Sequence, residues 1–380
     1  MKVSPTLAGM ATYPFVTLEE ARRRLEADGV PVIDFGKGDP NEPTDPLIRR
    51  ALVDAVRERM SYPLAAGLPE LRTACAGWVE RRFGVTLDPD AEVIPTYGSK
   101  EAIFSLAQVL IGPSSEKRLV VYGEPAYPVY ERGALFAGAD VRSLPLLEEN
   151  DFLPDVDAVD DETWSRCAIL WLNYPHNPTG AVAPRAFYER VAELAARHGF
   201  AIASDEAYSE LWFEEPPVSA IQVGDRSNVI LFQTLSKRSS MTGYRCGFVA
   251  AAPDVIAALR AYRPSVGTAP QEFVQRAAVA AWGDERHVEE TRARYRRKRD
   301  VLVPVLERKG YRIVASRATM YVWIAVTEPA EEVAARLLEH GIVISPGTFF
   351  GPSGEGYVRF ALVPTLEECE RAAAILEGAL

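Results

Sequence analysis

One lysine, Lys237, closes the apolar run "NVILFQTLSK" (228–237). Lysine is seldom buried without a partner, so at this position it either reaches solvent or serves chemistry. A desolvated lysine gives up its proton readily and can form a Schiff base with an aldehyde. Thr234 and Ser236 stand beside it as hydroxyl donors, and Arg245 offers a guanidinium fork suited to phosphate. A plain solvated lysine at a strand end is the alternative.

Asp205 ends the apolar stretch "FAIASD" (200–205), where a carboxylate is costly unless it meets a cation. The pyridinium nitrogen of pyridoxal phosphate (PLP) is such a cation, and Tyr208 lies three residues on, within reach of a phenolate oxygen on the same ring. Capping of a turn would also account for Asp205. In "NYPHNPTGA" (173–181), two X-Pro steps and a glycine force an extended, turning loop. Asn177 there presents both a donor and an acceptor, in what is otherwise a generic turn. In "TYGSKEAIFSLAQVLIG" (96–112), Gly98 and Ser99 open an apolar-periodic helix whose free N–H groups favour a phosphate. Simple N-capping by Ser99 is the competing explanation. Lys100 is expected to contribute its backbone N–H, with its side chain in solvent.

These residues follow short apolar runs that read as strands: 118–124, 167–175, 200–208, 228–237 and 246–252. Amphipathic helices lie between several of them, such as "RAFYERVAELAARHG" (185–199), which stops at a glycine. Near-continuous apolar strands separated by helices predict a largely parallel sheet covered on both faces. Ligands of such sheets sit at the carboxyl ends of the strands. A long charged helix from about 284 to 309 and an α+β segment with antiparallel strands then predict a second, smaller domain, onto which the first 45 residues are expected to pack.

The chain's 380 residues exceed what one core usually supports. A formal net charge of -11 argues against nucleic acid and anionic membrane as partners. The arginine-rich "TRARYRRKR" (291–299) follows glutamates and reads as a solvated helix face. Cys75, Cys167, Cys246 and Cys369 form no CxxC pair, which disfavours a zinc site and fits reduced thiols in a cytoplasmic protein. No apolar run approaches the roughly 20 residues of a membrane span. Neither GxGxxG nor GxxxxGK[ST] occurs, which disfavours a nucleotide enzyme.

Taken in order, "YPHNPTG", "SDEAY" and "TLSKRSSMTGYR" resemble the signature set of fold-type I, class I/II PLP-dependent aminotransferases, over essentially the whole chain. The resemblance implies an aspartate aminotransferase-like α/β fold. A large PLP-binding domain (46–284) would hold a mostly parallel seven-stranded sheet, and a smaller α+β domain would comprise 1–45 and 285–380. It implies Lys237 as the Schiff-base lysine and Asp205 as the ring-nitrogen partner, with Tyr208 and Asn177 on the phenolic oxygen. Thr234, Ser236, Arg245 and the Gly98–Lys100 turn would hold the phosphate. Tyr127 in "EPAYPVY" would stack on the ring, where core packing is the alternative. Tyr62 would reach the neighbouring subunit's phosphate, making a homodimer with shared sites. Gly38, Asn177 and Arg359 would bind the substrate, Gly38 and Arg359 at its α-carboxylate; a turn and a solvent-facing strand position are the plainer readings of these two. The family often has serine at Thr234 and tryptophan at Tyr244.

The implied activity is transamination between an amino acid and 2-oxoglutarate. The segments "YPLAAGLPELR" and "SPGTFFGPSGEGYVRFAL" look most like the diaminopimelate branch, with N-succinyl-LL-diaminopimelate or LL-diaminopimelate as donor. Aspartate, alanine or aromatic donors are alternatives, as is a PLP-dependent carbon–sulfur β-lyase. Arg263 is either a second carboxylate ligand or half of a surface salt bridge. Tyr13 and Phe15 either line the substrate entrance or pack against the small domain. A regulator fused to a DNA-binding module is disfavoured, because the "GDP" segment already begins at residue 38.

Overall fold

The computed structural model describes residues 3–10, 14–27 and 29–379. Its main sheet has seven strands: β1 (Val93–Thr96), β2 (Leu119–Glu124), β3 (Asp140–Pro145), β4 (Cys167–Leu172), β5 (Ala201–Asp205), β6 (Val229–Thr234) and β7 (Gly247–Ala250). Their spatial order is β1-β7-β6-β5-β4-β2-β3. Every pairing is parallel except the two made by β7.

The central strands β4, β5 and β6 are buried along nearly their whole length, as near-continuous apolar runs require. Alternate side chains enter opposite layers: Ile230 and Phe232 join one core cluster and Leu231 the other. The apolar-run criterion misses the edge strands. β1 is only four residues long and contains Pro95, and β3 is mostly exposed, so neither carries an apolar run.

The pairing of β7 with β6 depends on one glycine. A Cβ on Gly247 would lie 2.3 Å from the carbonyl oxygen of Gln233. Gly247 faces Thr234 on one side and Thr96 on the other. This close approach therefore sets the ends of β6 and β1 side by side, where the residues after them meet.

A second sheet, of four antiparallel strands, comprises Arg312–Val314, Tyr321–Ala325, Ser345–Pro346 and Tyr357–Ala361. Helices Arg286–Arg308, Ala330–Glu339 and Leu366–Ala379 bury their apolar faces against it. Ile33–Asp34 pairs in parallel with Ile342–Val343, and Phe35 enters the same core. No helix among the described residues is long and apolar enough to cross a membrane. All four cysteines are buried and unbridged.

Under the main sheet, Trp78 is fully buried against Trp282, Phe83 and Phe248, with ring centroids 4.8, 5.5 and 6.1 Å away. Trp78→Ala is expected to cost about 3–5 kcal/mol, read from the urea midpoint of the main unfolding transition. A loss under about 1 kcal/mol, the scale of an average substitution, would contradict this packing role.

Candidate active site

The carboxyl ends of β1, β2, β4, β5 and β6 open on one side into a cavity of about 600 Å³, closed on the other side by the four-stranded sheet. Lys237, Asp205, Tyr208, Asn177, Thr234, Ser236, Arg245, Ser99, Lys100, Tyr127, Gly38 and Arg359 all line it. Residues dispersed over more than 300 positions of sequence thus share one chamber.

Lys237 sits in the one-turn helix Leu235–Arg238, whose N-cap Thr234 accepts from the Ser236 amide at 3.2 Å. The next residue anchors that turn. Arg238 is buried, donates to the Ala281 carbonyl and Glu285 at 3.0 Å each, and lies over the Trp282 ring. With Arg238 directed into the core, Lys237 is directed into the cavity. Its Nζ donates to the Gly38 carbonyl at 2.5 Å. Burial lowers its pKa to about 8; the Asp39 carboxylate pulls it back up, while the cations Arg359, Arg245 and Lys100 push it down.

Asp205 is 5% exposed. Burial raises its pKa to about 6, while the Tyr130 hydroxyl and the Lys237 charge pull it back. Tyr130 donates to Oδ2 at 2.7 Å and is itself held by stacking on Trp171, centroids 4.8 Å apart. Asn173 donates to the Asp205 carbonyl at 2.7 Å and accepts from the Asn177 amide at 3.0 Å, which ties β5 to the proline-rich loop.

At one end of the cavity, Gly98 (φ 70°) caps the helix Ser99–Leu110. A Cβ on Gly98 would fall 2.4 Å from Nη2 of Arg245, so only glycine admits that guanidinium. Arg245 itself adopts a left-handed backbone (φ 55°) and donates to the Thr242 carbonyl at 2.8 Å. Helix amides, a guanidinium and the hydroxyls of Ser99, Thr234 and Ser236 converge here, a donor set suited to a phosphate. Tyr127 stands edge-on to Tyr130, with the Lys100 ammonium 5.6 Å from its ring centre.

At the other end, Arg359 is 2% exposed and lies between the rings of Tyr321 and Phe350, at 4.2 and 4.5 Å. It donates to Asn177 Oδ1 at 2.9 Å and to the Gly36 carbonyl at 2.7 Å. The Tyr208 hydroxyl bonds that of Tyr321 at 2.8 Å. A Cβ on Gly38 would collide with the Tyr321 hydroxyl at 2.2 Å, which explains the glycine.

One placement differs from expectation. Arg263 is neither a substrate ligand nor half of a surface pair. It is fully buried, pairs with Glu101 at 3.1 Å and also donates to the backbone carbonyls of Ala65 and Pro95. Tyr62 is 98% exposed and lies away from this chain's own cavity. Tyr13 and the Phe15 side chain fall outside the described residues. Tyr130 and Tyr321 also line the cavity, and no sequence expectation names them. Tyr130 follows Tyr127 at helical spacing, a signal that was present; the pairing of Tyr321 with Tyr208 spans 113 residues and leaves no local trace.

The family model for aminotransferase class I and II matches residues 30–376. A protein of Dehalococcoides mccartyi (strain ATCC BAA-2266 / KCTC 15142 / 195), named LL-diaminopimelate aminotransferase, is 39% identical, covering 99% of this chain and 98% of its own. Among solved structures, a probable N-succinyldiaminopimelate aminotransferase from Thermus thermophilus is similar at 33% identity and a TM-score of 0.89, over 96% of this chain and 100% of its own. Aspartate aminotransferase from Thermus thermophilus with maleate matches at 29% identity and a TM-score of 0.91, over the full length of both chains.

Because burial disfavours the ammonium, the Lys237 amine is released as pH rises through about 8, well below an ordinary lysine. Trapping of a small aldehyde by cyanoborohydride on the cofactor-free protein, read at the Lys237 peptide, should rise with a midpoint near pH 8. A midpoint near that of an exposed lysine, about 10.4, would contradict the desolvation.

Proposed function

The chain belongs to the aminotransferase class I and II family, and from that premise we propose that it transfers the amino group of LL-diaminopimelate to 2-oxoglutarate with pyridoxal phosphate as cofactor, in lysine biosynthesis. The observation that carries this reading is the convergence of the Lys237 amine, the Asp205 carboxylate and the Arg359 guanidinium on one cavity. The donor identity is supported by the names of the full-length relatives.

The residues present fit the cofactor. The Gly98–Lys100 turn, Thr234, Ser236 and Arg245 would hold the phosphate, in the recess that a Cβ on Gly98 would fill. Tyr127 would cover the ring, and Tyr208 and Asn177 would lie toward its phenolic oxygen. When bound, pyridoxal phosphate supplies an aldehyde that takes up an amino group and a cationic ring that draws electron density from the substrate's α-carbon.

Asp205 would hold the proton on the ring nitrogen, its carboxylate aimed by the Tyr130 hydroxyl. Arg359 pairs with the substrate α-carboxylate through its planar fork, and Gly38 closes the other side. That pairing would turn the α-C–H bond toward Lys237, whose neutral Nζ would take the proton. Tyr321 steadies the Tyr208 hydroxyl from the opposite sheet.

Exposed apolar residues Val53, Val56, Tyr62 and Leu64 form a surface suited to a second copy of the chain. In such a homodimer Tyr62 would reach the partner's phosphate site. Residues 46–284 act as the large domain, and 1–45 with 285–380 as the small one. Four unbridged cysteines fit a cytoplasmic setting.

With 2-oxoglutarate as acceptor, LL-diaminopimelate should give a higher kcat/KM than aspartate, alanine or aromatic donors, and Lys237→Ala should have no turnover. A preference for aspartate by orders of magnitude would overturn the donor, and an active Lys237→Ala variant would overturn the mechanism. Pyruvate and ammonia released without an acceptor would indicate a lyase instead.

A further inference from the structure

The cavity holds two charged side chains that the transamination steps do not use, Lys37 and Asp39. The other charges have work: Arg245 and Lys100 stand at the phosphate end, Asp205 and Lys237 at the centre, and Arg359 at the α-carboxylate. Lys37 and Asp39 are opposite in sign and flank Gly38. The backbone between them fixes where they stand relative to a substrate. The Gly36 carbonyl accepts from Arg359 at 2.7 Å and the Gly38 carbonyl from Lys237 at 2.5 Å. Segment 36–39 therefore spans the two groups that hold a substrate's carboxylate and its reacting carbon.

We infer that Lys37 and Asp39 bind the far end of the donor, recognising a second amino-acid group by its carboxylate and its ammonium. This rests on the donor proposed above, whose two ends are both amino-acid groups. Asp39 is exposed and also lines the cavity, so it can meet the distal group of a donor long enough to reach solvent. Lys37 is only partly exposed and pairs with Glu19 of the helix Pro14–Ala27. Glu19 is also held by Arg22 and Arg23, at 2.8 Å each. Lys37 can therefore leave it for a substrate carboxylate without stranding a bare anion.

The charge pattern also discriminates between the two diaminopimelate donors. An N-succinylated distal nitrogen is a neutral amide carrying a further carboxylate, and that carboxylate would lie near Asp39. Opposed like charges of this kind reject the wrong ligand more than they favour the right one. LL-diaminopimelate is accordingly the better donor of the two.

The test compares the holoenzyme's kcat/KM for LL-diaminopimelate with that for L-2-aminopimelate, which keeps the distal carboxylate and lacks the distal amine. Asp39→Asn should lower this ratio by about tenfold, the scale of one hydrogen bond to a charged group, through KM rather than kcat. Asp39→Glu should restore it. Lys37→Met should raise KM for both donors and leave the ratio in place. If Asp39→Asn slows both donors equally, Asp39 acts only through the charge on Lys237, and the inference falls. Wild-type turnover of LL-diaminopimelate with an unchanged ratio in Asp39→Asn overturns the inference alone. No wild-type turnover of LL-diaminopimelate overturns the donor reading and this inference with it.

Discussion

A carboxylate at the end of an apolar strand is the constraint around which this molecule is arranged. Asp205 lies in the middle of the main sheet, where an uncompensated anion would cost several kcal/mol. The surrounding residues answer that cost in layers. Tyr130 donates to the carboxylate, Trp171 holds Tyr130 in place by stacking, and Asn173 secures the backbone carbonyl of the same residue. What remains is an acceptor facing an open chamber, with its pKa raised to about 6 by burial. Such an acceptor suits a cationic partner placed against it.

The chamber exists only where two sheets meet. The main sheet contributes its strand ends, and the antiparallel sheet contributes Arg359 and Tyr321 from adjacent strands. Among the contacts that join them are Arg359 to Asn177, Tyr321 to Tyr208, and the segment 36–38 to both Arg359 and Lys237. The same bonds that dock one sheet on the other also fix the side chains that line the cavity. Packing and chemistry are coupled here through shared residues. Arg238 shows the coupling at its tightest, since its burial against Trp282 turns its neighbour Lys237 toward the cavity.

Much of this was legible in the residues before any coordinates. The apolar runs ending in Asp205 and Lys237 marked β5 and β6 and the side on which chemistry lies, because strands buried on both faces cannot hide their composition. The proline-rich loop and the helix start at Ser99 were equally visible, since both are set by local backbone preference. What escaped was set by tertiary contact. Arg263 carries no local sign that Glu101, 162 residues away, will bury it. Tyr321 looks like any strand aromatic until its hydroxyl meets Tyr208. The edge strands β1 and β3 lack an apolar run because one is short and the other is wet. The bond by which the Asn177 side-chain oxygen accepts from Arg359 spans 182 residues and is set by the docking of the second sheet.

The central claim is that the cofactor's aldehyde joins the chain at Lys237 and at no other amine of the cavity. Borohydride reduction of the holoenzyme, followed by peptide mass mapping, tests this most directly. The expected result is one reduced pyridoxyl phosphate adduct per chain, on the peptide containing Lys237. An adduct confined to Lys100 or Lys37, or none at all, would contradict it.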